Sequence, residues 1–84
     1  MSRNLIKRKL MQIVGMAYEI STETKADVFV DYHPHCNYLS FLIYKNGWSP
    51  DVDPDTKEII LNITVKNLNK TIKVLQEVIE ELEV

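Results

Sequence analysis

Apolar residues at Ile6, Leu10, Ile13, Ala17 and Ile20 are separated by alternating steps of four and three. That spacing gathers side chains on one face of an α-helix and predicts a helix over about 3–22. Ser2 is placed to cap it. Leu5, Met11, Val14 and Tyr18 widen the stripe. Gly15 is a poor helix former, by about 1 kcal/mol relative to alanine. It is expected where the helix approaches a strand too closely for a side chain. Small polar residues from Ser21 to Thr24 compete for backbone hydrogen bonds and end the helix.

The pattern then changes to a period of two. Val28, Val30 and Tyr32 alternate with Asp27, Phe29, Asp31 and His33; Leu39, Phe41 and Ile43 alternate with Tyr38, Ser40, Leu42 and Tyr44. Strands are predicted over 26–33 and 38–45, with Pro34 to Asn37 as the turn. Pairing His33 with Tyr38 sets Tyr32 opposite Leu39, Val30 opposite Phe41 and Val28 opposite Ile43. One face is then wholly apolar, and a slip of one residue would mix the faces. Asn46-Gly47 closes the second strand with a strong tight-turn dipeptide. A proline-punctuated acidic loop follows. Glu58 to Val65 predicts a third strand, with Ile59, Leu61, Ile63 and Val65 toward the core and Ile60, Asn62 and Thr64 outward.

Asn67 is the expected cap of a last helix over 68–83, where Leu68, Ile72, Leu75, Ile79 and Leu82 repeat the four-three spacing. The order α-β-β-β-α implies an α+β two-layer fold: a three-stranded antiparallel meander with two helices on one face. At 84 residues, residues 1–84 are expected to form one domain. A chain this short buries roughly 60–65% of its unfolded surface, which leaves a thin core.

Net charge is −2, which gives no bulk attraction to nucleic acid or membrane. No apolar run is long enough to span a bilayer. The apolar stretch near the start is broken by Gln12 and Glu19, and no small-residue cleavage site follows, unlike a signal peptide. Cys36 is the single cysteine, so no intrachain disulfide can form, which fits a cytoplasmic setting. In a meander both helices run the same way. Arg3, Lys7, Arg8, Lys9, Lys66, Lys70 and Lys73 then gather at the end holding the His33–Cys36 turn. Glu19, Glu23, Glu77, Glu80, Glu81 and Glu83 lie toward the other end, with Asp51, Asp53, Asp55 and Glu58. This opposes the helix macrodipole, which favours anions at N-termini. A bound anion, or association that brings opposite ends together, would offset it; exposed charges are also screened by salt.

Candidate chemistry is sparse. His33, His35 and Cys36 are weak metal candidates: three ligand types stand in four residues, but a structural zinc site uses four ligands in spaced pairs. Asp51, Asp53 and Asp55 open a calcium-loop pattern, yet Thr56 stands where glycine is needed and Asn62 where the closing acid belongs. No nucleophile motif or phosphate-binding loop is present. No cofactor and no enzymatic activity are expected.

The outward sheet face is less polar than a plain two-layer protein requires. Phe29, Tyr38, Leu42, Tyr44, Trp48 and Ile60 could form one aromatic patch there, and such patches mark interfaces. The alternative is that Trp48 and loop 46–57 fold back over it. The face lacks the basic residues that a single-strand nucleic-acid platform interleaves with its aromatics.

The segment DVFVDYHPHCNYLSFLIYKNGW, behind an N-terminal helix, resembles small proteins encoded by phages and prophages of Gram-positive bacteria. The likeness lies in the D-V-F-V strand, the tyrosine before a short turn, the alternating second strand and its N-G-W end. It implies a small accessory or interaction protein and supplies no active-site residues. The expected function is non-enzymatic protein–protein interaction, as a homodimer or with another protein, through the outer sheet face. The second expectation is nucleic-acid or polyanion binding through Arg3, Lys7, Arg8, Lys9, Lys66 and Lys70.

Overall fold

Each stretch of periodic sequence forms the element its period demands. In the computed structural model, which describes residues 2–82, helix α1 spans Ser2–Glu23 and helix α2 spans Val65–Leu82. Strands β1, β2 and β3 span Asp27–His33, Tyr38–Tyr44 and Thr56–Ile60, in the sheet order β1-β2-β3. The Ser2 side chain, the expected cap of α1, and Glu83 lie outside the described part of the chain.

β1 and β2 pair antiparallel in the predicted register, from His33 opposite Tyr38 to Asp27 opposite Tyr44. Between them Pro34–Cys36 makes a 3-10 turn, and Asn37 takes a left-handed φ of 51°. That conformation is one asparagine tolerates better than most residues. Val28, Val30, Leu39, Phe41, Ile43 and Ile60 share one sheet face. There they pack with Ile13 and Ile20 of α1 and Leu68, Ile72, Leu75 and Val78 of α2. Both helices therefore lie on that face, and the architecture is α+β.

Hydrogen bonds fix the helix directions. Asn37 Nδ2 donates to Asn62 Oδ1, just ahead of α2, at 2.8 Å, which places the start of α2 beside the β1–β2 turn. At the other end Lys45 Nζ reaches Glu81 Oε1 at 2.9 Å. Ser21 Oγ, near the end of α1, accepts from Val28 N at the start of β1. The two helices are thus parallel, with both N-termini at the turn end.

β3 departs from its prediction. It starts two residues earlier than expected and ends at Ile60, and its faces are inverted. Ile60 stands opposite Leu39 on the core side, while Ile59, opposite Ser40, and Leu61 are exposed. Ile63 is buried as expected, but from the connection rather than from a strand. Two hydrogen bonds account for the shift. Asp55 N donates to Ile43 O at 2.8 Å and starts the pairing early. Thr64 Oγ1 accepts from Asn67 N at 3.1 Å, so Thr64 caps α2 and Val65 is already helical. Asn67, the predicted cap, lies in the first turn and donates from Nδ2 to Asn62 O.

α1 also differs from expectation. Met11, Val14 and Tyr18 do not join the buried stripe; all three are exposed. Gly15 meets nothing within 4 Å of where a Cβ would stand, so no strand approaches it. Among the described residues no helix is long and apolar enough to cross a membrane.

Candidate interaction surface

Residues with odd numbers on β1 and β3 and even numbers on β2 face away from the helices. Rows across this outer face run Phe29, Leu42, Lys57 and Asp31, Ser40, Ile59. Phe29 and Ile59 are each about half exposed, at 46% and 50%. Leu42 beside Phe29 and Tyr38 at the turn end are half-buried. Lys57 puts a basic residue on this face.

The expected six-residue patch is therefore only partly assembled. Phe29, Tyr38 and Leu42 are on the face as predicted. Ile60 is not, because β3 is inverted; Ile59 takes its place. Tyr44 has the right parity but is buried, with the Phe29 ring edge-on at 5.6 Å. The signal for Ile59 was present in the Ile59-Ile60 pair, where either residue could have been the core one.

Loop 45–55 is tied to one corner of this face. Lys45 N donates to Asp55 Oδ2 at 2.7 Å and Trp48 N to Asp27 Oδ2 at 2.8 Å. Gly47 N donates to Tyr44 O at 3.1 Å. Gly47 has φ +94°, and a Cβ there would stand 3.1 Å from Lys25 O. Glycine is needed at this turn for both reasons. The loop holds its place without hiding its own apolar residues: Trp48 and Val52 remain about half exposed. The loop leaves Phe29, Ile59, Trp48 and Val52 open to solvent.

The remaining candidates separate. His33, His35 and Cys36 are all exposed on the turn, with the His33 ring edge-on to Tyr38 at 5.1 Å. Among the described residues no three His, Cys, Asp or Glu side chains are grouped to hold a metal ion. Asp55 of the acidic loop is engaged in the hydrogen bond from Lys45 N. Arg3, Lys7, Arg8, Lys66 and Lys70 are exposed in the N-terminal halves of the parallel helices, and Lys9 is half-buried. Arg3 and Lys7 edge a groove with Ile6, Leu10, Met11 and Tyr32; Lys70 lines a second one, of about 580 Å³, between β3 and α2 with Glu58 and Thr71. The Lys45 ammonium is held above the ordinary lysine range, first by its hydrogen bond to Glu81 and then by the charges of Glu81 and Asp55, against some desolvation.

The chain matches no protein-family model, no curated protein and no solved structure.

Proposed function

We propose that this is a non-enzymatic interaction protein that docks through its outer sheet face. The carrying observation is the exposure of Phe29 and Ile59 beside half-buried Leu42, on a sheet whose other face already holds the core, with Trp48 and Val52 exposed on the adjoining loop. Apolar side chains grouped on one rigid surface mark interaction sites more often than bare surface. The likeness to phage-encoded proteins supports a small accessory role. A photoreactive phenylalanine analogue at position 59, with Gln76 on the polar side of α2 as control, tests the reading in producing cells. One discrete adduct from position 59, lost on changing Leu42 to Asp, is expected. Equal, diffuse labelling from both positions would refute it.

A second reading is favoured by the parallel helices, which bring Arg3, Lys7, Arg8, Lys66 and Lys70 to the end of the sheet where both helices start. Polyanion binding there would weaken steeply with salt. Changing Lys7, Arg8 and Lys9 to Ala should abolish a low-salt mobility shift with DNA or RNA; no shift by the unaltered protein would eliminate this reading.

A further inference from the structure

Beside its buried stripe, α1 carries a second one. Lys7, Met11, Val14, Tyr18 and Ser21 repeat the four-three steps, one residue on from the core positions. Met11 is 63% exposed, Val14 57% and Tyr18 71%. Two contacts show where this stripe points. Ser21 Oγ accepts from Val28 N at 3.0 Å, and Lys7 and Met11 share a groove with Tyr32. The stripe therefore runs along the β1 side of the molecule, above the open edge of the sheet.

Among the described residues that edge is unpaired. β1 has β2 on one side only. Along an antiparallel strand, alternate residues turn both N–H and C=O to the same side. Val28 N is turned away from β2, toward Ser21. The N–H and C=O groups of Val30 and Tyr32 are turned the same way, onto the open edge. A free edge of this kind is a template for another strand.

We propose that this side is the interface with a second copy of the chain. β1 pairs antiparallel with the partner's β1 across a twofold axis, and α1 packs antiparallel on the partner's α1 directly above. The two layers share one axis. Ser21 stands level with Val28 and Met11 beside Tyr32, so Val30 lies level with the turn of α1 between Val14 and Tyr18. Val30 then meets the partner's Val30, Val14 meets the partner's Tyr18, and Met11 approaches the partner's Ser21. Such self-complementarity is what a twofold interface requires.

Charge selects this occupant. The first half of α1 carries Arg3, Lys7, Arg8 and Lys9 and no acid; the second half carries Glu19 and Glu23 and no base. An antiparallel pair sets each basic half beside the partner's acidic half. It also aligns opposite helix dipoles, offsetting the charge placement that each helix dipole disfavours on its own. The strand register follows the same logic. Centred on Val30, it sets Asp31 opposite the partner's Phe29 and Asp27 opposite the partner's His33. Centred on Asp31, it would force two aspartates face to face, which is destabilising. Ser21 keeps Val28 N, while Val28 O stays free to accept from the partner's Tyr32 N.

This inference rests on the docking reading above only in treating the protein as an interaction module; it concerns different residues and leaves the outer face to another partner. Sedimentation equilibrium from micromolar to millimolar concentrations tests it. Twice the chain mass of 9.8 kDa is expected. Met11→Glu with Val14→Glu, both at exposed positions, should raise the dissociation constant by more than about tenfold while leaving the circular dichroism spectrum unchanged. Val14→Cys together with Tyr18→Cys in a Cys36→Ser background should form a disulfide-linked dimer on oxidation. A protein that stays monomeric throughout would overturn the proposal without touching the outer-face reading. So would a dimer that survives Met11→Glu and Val14→Glu and is lost on Leu42→Asp.

Discussion

The two helices are built to different specifications. α2 has one apolar stripe, Leu68, Ile72, Leu75 and Val78, all buried, and its other side is Lys, Asn, Gln and Glu. α1 has two stripes side by side, and only one of them reaches the core. A helix lying on a single sheet face needs one apolar stripe; a second must be paired elsewhere or left in water. α2 is thus finished within the chain, whereas α1 carries apolar surface that this chain alone leaves uncovered.

The largest test of that difference sets a buried position of α2 against an exposed one of α1. Leu75 is 0% exposed, and Leu75→Ala should lower stability by about 2–5 kcal/mol in urea unfolding. Met11→Ala, measured in dilute protein, should stay within about 0.5 kcal/mol of the parent. Equal losses would mean that the second stripe is buried after all.

Next is the start of α2. Thr64→Ala removes the acceptor for Asn67 N and should cost about 1 kcal/mol. An unchanged unfolding midpoint would show that α2 starts without that cap.

Gly15 sharpens the comparison from the other side. It sits mid-helix with a negative φ and open space around it, so Gly15→Ala should stabilise by about 0.5–1 kcal/mol. Destabilisation would reveal a neighbour pressed against α1 at that point.

The smallest effect is at the end of α2, where Lys45 meets Glu81 on the surface. Their hydrogen bond raises the Lys45 pKa, so its contribution is complete below the unfolded lysine value. It fades as pH rises through the folded one. Glu81→Gln should lower the unfolding midpoint slightly near neutral pH. The difference should vanish in strongly alkaline buffer and in high salt.

Most of the fold was legible because its strongest patterns admit one solution. In the β1–β2 hairpin, one register alone puts Val28, Val30, Leu39, Phe41 and Ile43 on the same side. β3 offered no such single solution. Ile59, Ile60, Leu61 and Ile63 supply apolar side chains of both parities, so either face could have turned inward. The candidate surface inherited that ambiguity: Phe29, Tyr38 and Leu42 were legible from the hairpin, whereas Ile60 had to be exchanged for Ile59.

The sequence by itself determined the element order, the hairpin register and the core stripes of both helices. Local periodicity and one apolar face are enough to specify those. Tertiary structure alone decided which face of β3 looks inward, that Thr64 rather than Asn67 begins α2, and that Met11, Val14 and Tyr18 stay outside the buried stripe of α1. Those choices depend on where distant segments stop. Asp55 bonds to Ile43, Thr64 closes the connection, and the sheet is wide enough to cover one stripe of α1 while the other remains above its edge.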